Sequence, residues 1–250
     1  MRTFWTLMRR ELAGYFLSTT GYVIISGVTL LVGLTFVMLI SNIGNTPVTM
    51  PLTQLFFNSL LLWIIIILTA PIITMRLFAL EKASGTFETL MTTPVGDSQV
   101  VAAKFTAAVI FYVVMWLPTL ASLFVVQHFA NQPAALEKGT LFGMYLGLLL
   151  AGCLVLSMGC FASALTKSQM VAAMISVVSG ATLLILNWLA QAIPITNQWQ
   201  MQVLPFFNLS EQMQDFTRGI VDTRVLIFYL SVTFFFLFLT LRVIESRRWK

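Results

Sequence analysis

Charge is scarce in this sequence: of 250 residues, only 9% are Asp, Glu, Lys or Arg. A soluble domain carries about 25%. So few charges cannot coat a soluble globule or keep a disordered regulator in solution. Histidine and cysteine are rarer still, at one and two residues. Cys153 and Cys160 lie seven apart in one apolar run with no C-x-x-C, and His128 stands alone, so the ligand set of a His/Cys metal centre is lacking. No G-x-x-x-x-G-K-[ST] occurs, which excludes ATP binding as a P-loop protein. Neither G-x-S-x-G nor H-E-x-x-H is present. The formal charge is +5, but the 14 cations are scattered rather than gathered into a surface that could track phosphates, so no nucleic-acid partner is expected.

What is abundant is apolar sequence without charge. Leu12–Met75, Phe105–Leu136, Gly139–Thr166, Ser168–Ser210 and Val225–Leu241 hold no charged residue. A charge at the bilayer centre costs about 2.5–3.5 kcal/mol on insertion scales, so charges collect outside the hydrocarbon. Divided at polar and Gly/Pro-rich breaks, these runs predict an all-α polytopic membrane protein, one transmembrane domain over 1–250. Its six spans fall near 21–41, 56–76, 102–128, 140–165, 169–193 and 223–243. An even number of spans places both termini on one side. Eleven of the 14 cations fall on that side and three (Lys138, Arg218, Arg224) on the other. The positive-inside rule then puts both termini in the cytoplasm of a bacterial inner membrane. Glu11 interrupts what would be the apolar core of a signal peptide, so the N-terminus reads as retained.

Four segments are not ordinary spans. In residues 1–17, Phe4, Trp5, Met8, Leu12, Tyr15 and Phe16 fall within an arc of about 120° of a helical wheel. Arg2, Arg9 and Arg10 lie off it. This predicts an amphipathic helix along the cytoplasmic leaflet, serving as an anchor or as a mechanical elbow. Glu11, near the apolar edge, demands a partner or an internal cation. The connection 77–101 concentrates acidic residues at Glu81, Glu88 and Asp97. Gly85 breaks the pattern, Thr86 can cap a new helix with Glu88 in its first turn, and Pro94 with Gly96 stops it. The resulting short helix, with Phe87, Leu90 and Met91 beside charges, reads either as a docking element for another protein or as a capped loop. The connection 194–222 is too long for a tight turn and is aromatic, which suggests interfacial or re-entrant helices on the outer side. The tail Arg242–Lys250, with Trp249 among four cations, reads as an interfacial anchor.

Within the spans, Asn58, Asn187 and Gln191 must find partners, either as interhelical hydrogen bonds or along a translocation path. Small residues repeat at four-residue spacing, as Gly143, Gly147 and Ala151 and as Ala172, Ser176 and Gly180, and permit close helix contact. No acidic or basic residue stands mid-span, which argues against an ion-coupled transporter, so any uphill work draws its energy from another chain.

The loop EKASGTFETLMTTP resembles the E-x-x-x-G-T-x-E-x-L-x-x-x-P pattern of the permeases of type-2 ATP-binding-cassette (ABC) exporters, through Glu81, Gly85, Thr86, Glu88, Leu90 and Pro94. Lys104 follows at the next span. Leu80 stands where such permeases often carry an acidic residue. RRELAGYFLSTTGYVI is similar to the family's N-terminal helix, with Ser18-Thr19 in place of its frequent Ser-Pro. The segment from Phe216 to Lys250 resembles the subgroup of gliding-motility-associated and copper-enzyme-maturation permeases. The resemblance implies a type-2 exporter fold and a non-catalytic permease that works as a homo- or heterodimer. Each protomer would sit on a separate ATPase subunit, which holds ATP and Mg; this chain would hold no cofactor and no metal. The elbow (Phe4, Trp5, Arg9, Arg10, Glu11) and the loop helix (Glu81, Gly85, Thr86, Phe87, Glu88, Leu90, Pro94) would then couple the ATPase to the spans. Two other readings stay open: a membrane subunit that transmits force in a secretion, motility or assembly machine, and an intramembrane enzyme drawing on His128, Glu211 and Asp215.

Overall fold

The computed structural model describes the chain apart from residues 1, 44–51, 58, 88–95, 131–137, 194–197 and 249–250, and apart from the side chains of 2, 42–43, 52–53, 126–130, 138, 198–202 and 247–248. All regular structure among the described residues is helical. The helices are α1 (Arg2–Phe16), α2 (Thr19–Ile43), α3 (Leu52–Phe57), α4 (Leu60–Thr74), α5 (Ala79–Ser84), α6 (Asp97–Ala130), α7 (Lys138–Leu165), α8 (Gln169–Ala192), α9 (Gln198–Phe207), α10 (Leu209–Thr217) and α11 (Thr223–Arg248). Six stretches are long and apolar enough to cross a membrane: Thr19–Ser41, Leu60–Ser84, Asp97–Val125, Gly139–Leu165, Gln169–Ala192 and Thr223–Ser246.

The second stretch is not one uninterrupted helix. Ser59 caps α4, its hydroxyl accepting from the Leu62 amide at 3.3 Å, so the helix begins after a break behind α3. At the far end the backbone turns at residues 75–78 before α5 resumes. A serine cap inside an apolar run leaves no mark on hydropathy, which is why a single span over 56–76 was the sequence expectation.

Helix α7 is the centre of the bundle. Of its spanning window 78% is buried, against 17% for α8 and 22% for both α2 and α11. Helices α4, α6, α8, α10 and α11 all pack on it. Lipid tails are as apolar as Leu, so hydrophobic exclusion does not draw these helices together; close packing does. Glycines supply that closeness. A methyl at Gly152 would overlap the Tyr112 ring, and one at Gly159 would overlap Thr74 and meet Ser176 Oγ at 2.9 Å. One at Gly180 of α8 would lie 2.8 Å from Ile67 of α4. The small-residue stripes are therefore contact faces. Large side chains fill the space between: Phe111, Tyr112, Met115 and Trp116 of α6 are fully buried, and Phe36 stacks on Phe56 at 4.3 Å between centroids.

Gly143 near one end of α7 touches α10, and Ser163 near the other touches the start of α5. At 1.5 Å per residue these points lie about 30 Å apart, the thickness of a hydrocarbon core. The bundle thus has two distinct ends, one bearing α1 and α5, the other α9 and α10.

Candidate functional site

The end that carries α1 and α5 holds a knot of four charged side chains. Lys104, about two turns into α6, has a side chain only 3% exposed. Its Nζ donates to Glu11 Oε1 of α1 at 2.9 Å and to Glu81 Oε1 of α5 at 2.9 Å. Arg10 closes the figure from outside, with Nη2 at 3.0 Å from each of the same two oxygens. Two cations meet two carboxylates, so the knot is neutral. Arg10 is half exposed; burial opposes its charge, but Glu11 and Glu81 more than offset that, and its pKa is raised. Lys104 Nζ also lies 5.5 Å from the centre of the Phe78 ring. Glu81 Oε2 is buried with no hydrogen-bond partner among the described residues. A buried ionic group left without a partner is costly, so the knot holds its three helices as one unit.

Packing prepares that geometry. Met8 of α1 is buried against Ala103 and Ala107 of α6, with Phe4, Leu7, Leu12 and Ile110 around them. The two alanines leave room for α1 to lie close. Tyr15 stacks on Phe111 at 4.8 Å and donates its hydroxyl to the Ile73 carbonyl at 2.9 Å. Burial pushes that hydroxyl far above its ordinary pKa, so it stays a donor. The predicted apolar arc of α1 therefore divides: Met8, Tyr15 and Phe16 face protein, while Trp5 is 62% exposed. Periodicity defines an apolar face but does not say whether lipid or protein covers it.

Helix α5 is seated on α7. Ser163 Oγ accepts from the Phe78 and Ala79 amides at 3.1 Å each and donates to the Met75 carbonyl. These are orphan donors at a helix start, satisfied from another helix. Lys82 is buried, its Nζ donating to the Ala164 carbonyl and lying 5.2 Å from the Phe87 ring centre. Gly85 ends α5 with φ 75°, the left-handed conformation glycine adopts without a steric cost. Helical backbone resumes at Thr86 and Phe87, and Thr86 Oγ1 bonds Ser84 Oγ at 2.8 Å. Glu88, Leu90 and Pro94 lie outside the described residues.

At the opposite end the bonds between helices are made by neutral groups. Asn187 of α8 donates to Ser210 Oγ at 3.0 Å and accepts the Ser210 amide at 3.1 Å. Gln191, one turn on, donates to Asn208 Oδ1 at 3.4 Å. Asn208 caps α10, accepting the Glu211 amide at 3.2 Å while its own amide donates to the Glu211 carboxylate at 2.8 Å. Gln212 donates to the Pro205 and Phe206 carbonyls at the end of α9. Asn187 and Gln191 are thus engaged in seating α10. Asn58 and the side chain of His128 lie outside the described residues. Glu211 serves the α10 cap.

The structure brings Arg10, Glu11 and Glu81 together and adds Lys104 and Ser163, which sequence reasoning did not place in the site. Phe4 sits in the α1–α6 contact and Arg9 points outward. Lys82 and Lys104 served in the sequence as topology markers, and both are buried. The signal for Lys104 was Glu11 itself, a carboxylate at an apolar edge that called for an internal cation.

Six membrane-length helices around a glycine-rich centre, with an amphipathic helix knotted by ion pairs to one end, define a multi-pass membrane protein. The profile of the ABC-2 family transporter proteins matches residues 45–244, most of the chain. The chain belongs to that family, and so is a permease component of an ABC transporter. Membership implies, for the family in general, association with ABC ATPase subunits and dimeric permeases. Comparison with curated proteins gave no match. The family match begins after α1 and α2, so the elbow and its share of the knot stand on this structure alone.

Proposed function

We propose that this chain is the membrane half of an exporter, driven by ATP hydrolysis on a separate subunit that docks beneath α1 and the 77–101 loop. In this reading both termini face the cytoplasm of a bacterial inner membrane, ATP and Mg belong to the partner, and residues 194–222 form the outer gate. The whole chain is one transmembrane domain, paired with a second permease protomer. The segment from Phe216 to Lys250 supports a place in the gliding-motility-associated subgroup.

The observation that carries the reading is Lys104 holding Glu11 and Glu81 at once. A push on α1 or on the loop at α5 reaches the third span through the same atom. The second carboxylate oxygen of Glu81, on α5 just before the Gly85 turn into the loop, is buried without a partner among the described residues. Closure of an ATPase pair displaces a docked loop, and a knot that keeps α1, α5 and α6 together converts that displacement into motion of a span.

The test is ATPase activity of the reconstituted complex. Glu81→Gln removes a charge from the knot, and Glu88→Arg reverses one on the loop. Both variants should insert and assemble but lose permease-stimulated ATP hydrolysis. Normal stimulation in both would reject the coupling role.

A further inference from the structure

Beside the knot, between α1, the start of α2 and the end of α4, lies a cleft of about 370 Å³. Its walls include Gly14, Val23, Ile72 and Leu80, with Thr20 and Arg76 at its polar side. Val23, Ile72 and Leu80 are all exposed, at 68%, 42% and 45%, and Val23 and Ile72 belong to membrane-length stretches. The apolar part of the cleft therefore opens sideways, toward acyl chains. Arg76 stands at the rim. Its Nη1 donates to Thr20 Oγ1 at 3.0 Å, which fixes the guanidinium in place. The other four N–H groups of an arginine's five have no partner among the described residues. The carboxylate among the lining residues, Glu11, is turned to Lys104 and Arg10. Since the knot is internally neutral, Arg76 is a surplus positive charge at headgroup level.

From this we infer that the cleft binds an anionic phospholipid of the leaflet on the side of the termini. The phosphate would sit on the Arg76 guanidinium, which Thr20 orients by accepting from it, and one acyl chain would run along Val23, Ile72 and Leu80. An arginine fork suits a phosphate, pairing it through parallel N–H donors. An anionic lipid leaves the charge of its phosphate uncompensated for the guanidinium, whereas a zwitterionic one counters it with its own cation. A lipid in this position wedges α1 against α2 and α4. The occupancy it describes is independent of ATPase coupling.

The test uses the full chain in detergent, with thermal unfolding read against added short-chain phosphatidylglycerol, phosphatidylcholine of the same chains, and inorganic phosphate. Phosphatidylglycerol should raise the unfolding temperature, phosphatidylcholine should do so less, and inorganic phosphate should not, since it lacks the chain. Arg76→Gln should raise the half-saturating phosphatidylglycerol concentration about tenfold, the worth of one charge-assisted hydrogen bond. Gly14→Leu should weaken the response by filling the cleft: a Cβ at Gly14 meets nothing within 4 Å, and leucine favours the helix. Unaltered lipid responses in both variants would overturn the inference. So would a full shift from inorganic phosphate alone, which would make the rim a plain anion site, or an equal response to both lipids.

Discussion

At one end of the bundle α1, α5 and α6 are joined by ion pairs; at the other, α8, α9 and α10 are joined by neutral amides, and α10 meets α7 across glycines. Both ends hold non-spanning helices against the same central α7 or its neighbours, but the chemistry differs in what it does under load. Neutral hydrogen bonds across membrane helices are worth on the order of 1 kcal/mol and act nearly one by one. A buried lysine shared by two carboxylates is collective: each partner's position is set by the others, and removing one leaves the rest uncompensated. The charged end is thus suited to move as a unit, and the neutral end to rearrange contact by contact.

The sharpest way to break the comparison is at Lys104. Lys104→Met should cost about 3–5 kcal/mol, because Glu11 and Glu81 lose their buried cation. Combined with Glu11→Gln and Glu81→Gln, the same change should recover much of the loss, since no buried charge is left and the remaining Arg10 is half exposed; unfolding midpoints of the wild type, Lys104→Met and the triple variant decide this. A steric change at the other end should be smaller. Gly147→Leu drives a side chain into Met213 Sδ and the Phe216 ring, both within about 3 Å of the added Cβ, and overpacking costs about 1–3 kcal/mol. It should also loosen α10 from α7, seen as faster proteolysis of residues 198–217. Asn187→Ala should cost about 1–2 kcal/mol, from the unpaired Ser210 amide and hydroxyl. Arg10→Ala should be the mildest, under about 1 kcal/mol, because its half-exposed guanidinium is screened, and raising the salt concentration should shrink that difference further. If Arg10→Ala matched Lys104→Met, the distinction between a buried pivot and a surface clasp would fail.

The spans were legible because hydrocarbon penalises charge residue by residue, so charge-free runs mark them without any knowledge of neighbours. The elbow was legible as a helix, since Phe4, Met8, Leu12 and Tyr15 recur at helical spacing. Its cover was not: Met8 against Ala103 depends on two residues 95 positions apart. The same limit hid Lys82 and Lys104. A lysine near a span end has the same hydropathy whether its amine meets water or, like Lys104, two carboxylates from other helices. Ser163, an unremarked serine within an apolar run, proved to be the seat of α5. Asn187 and Gln191 were recognisable as groups that must be paired, but their partners at the start of α10 were not.

By itself the sequence determined that the chain is a six-span membrane protein with one amphipathic terminal helix and no nucleotide-binding loop, and its loop motif pointed to the permease family. Those properties follow from local costs: burying charge in hydrocarbon, and matching apolar residues to a helical period. Only the tertiary structure decided that Arg10, Glu11, Glu81 and Lys104 form one site, that Arg76 stands apart with donors to spare, and that α7 is the centre. Those properties belong to distances between residues far apart in the chain, set by which small side chains let which helices approach.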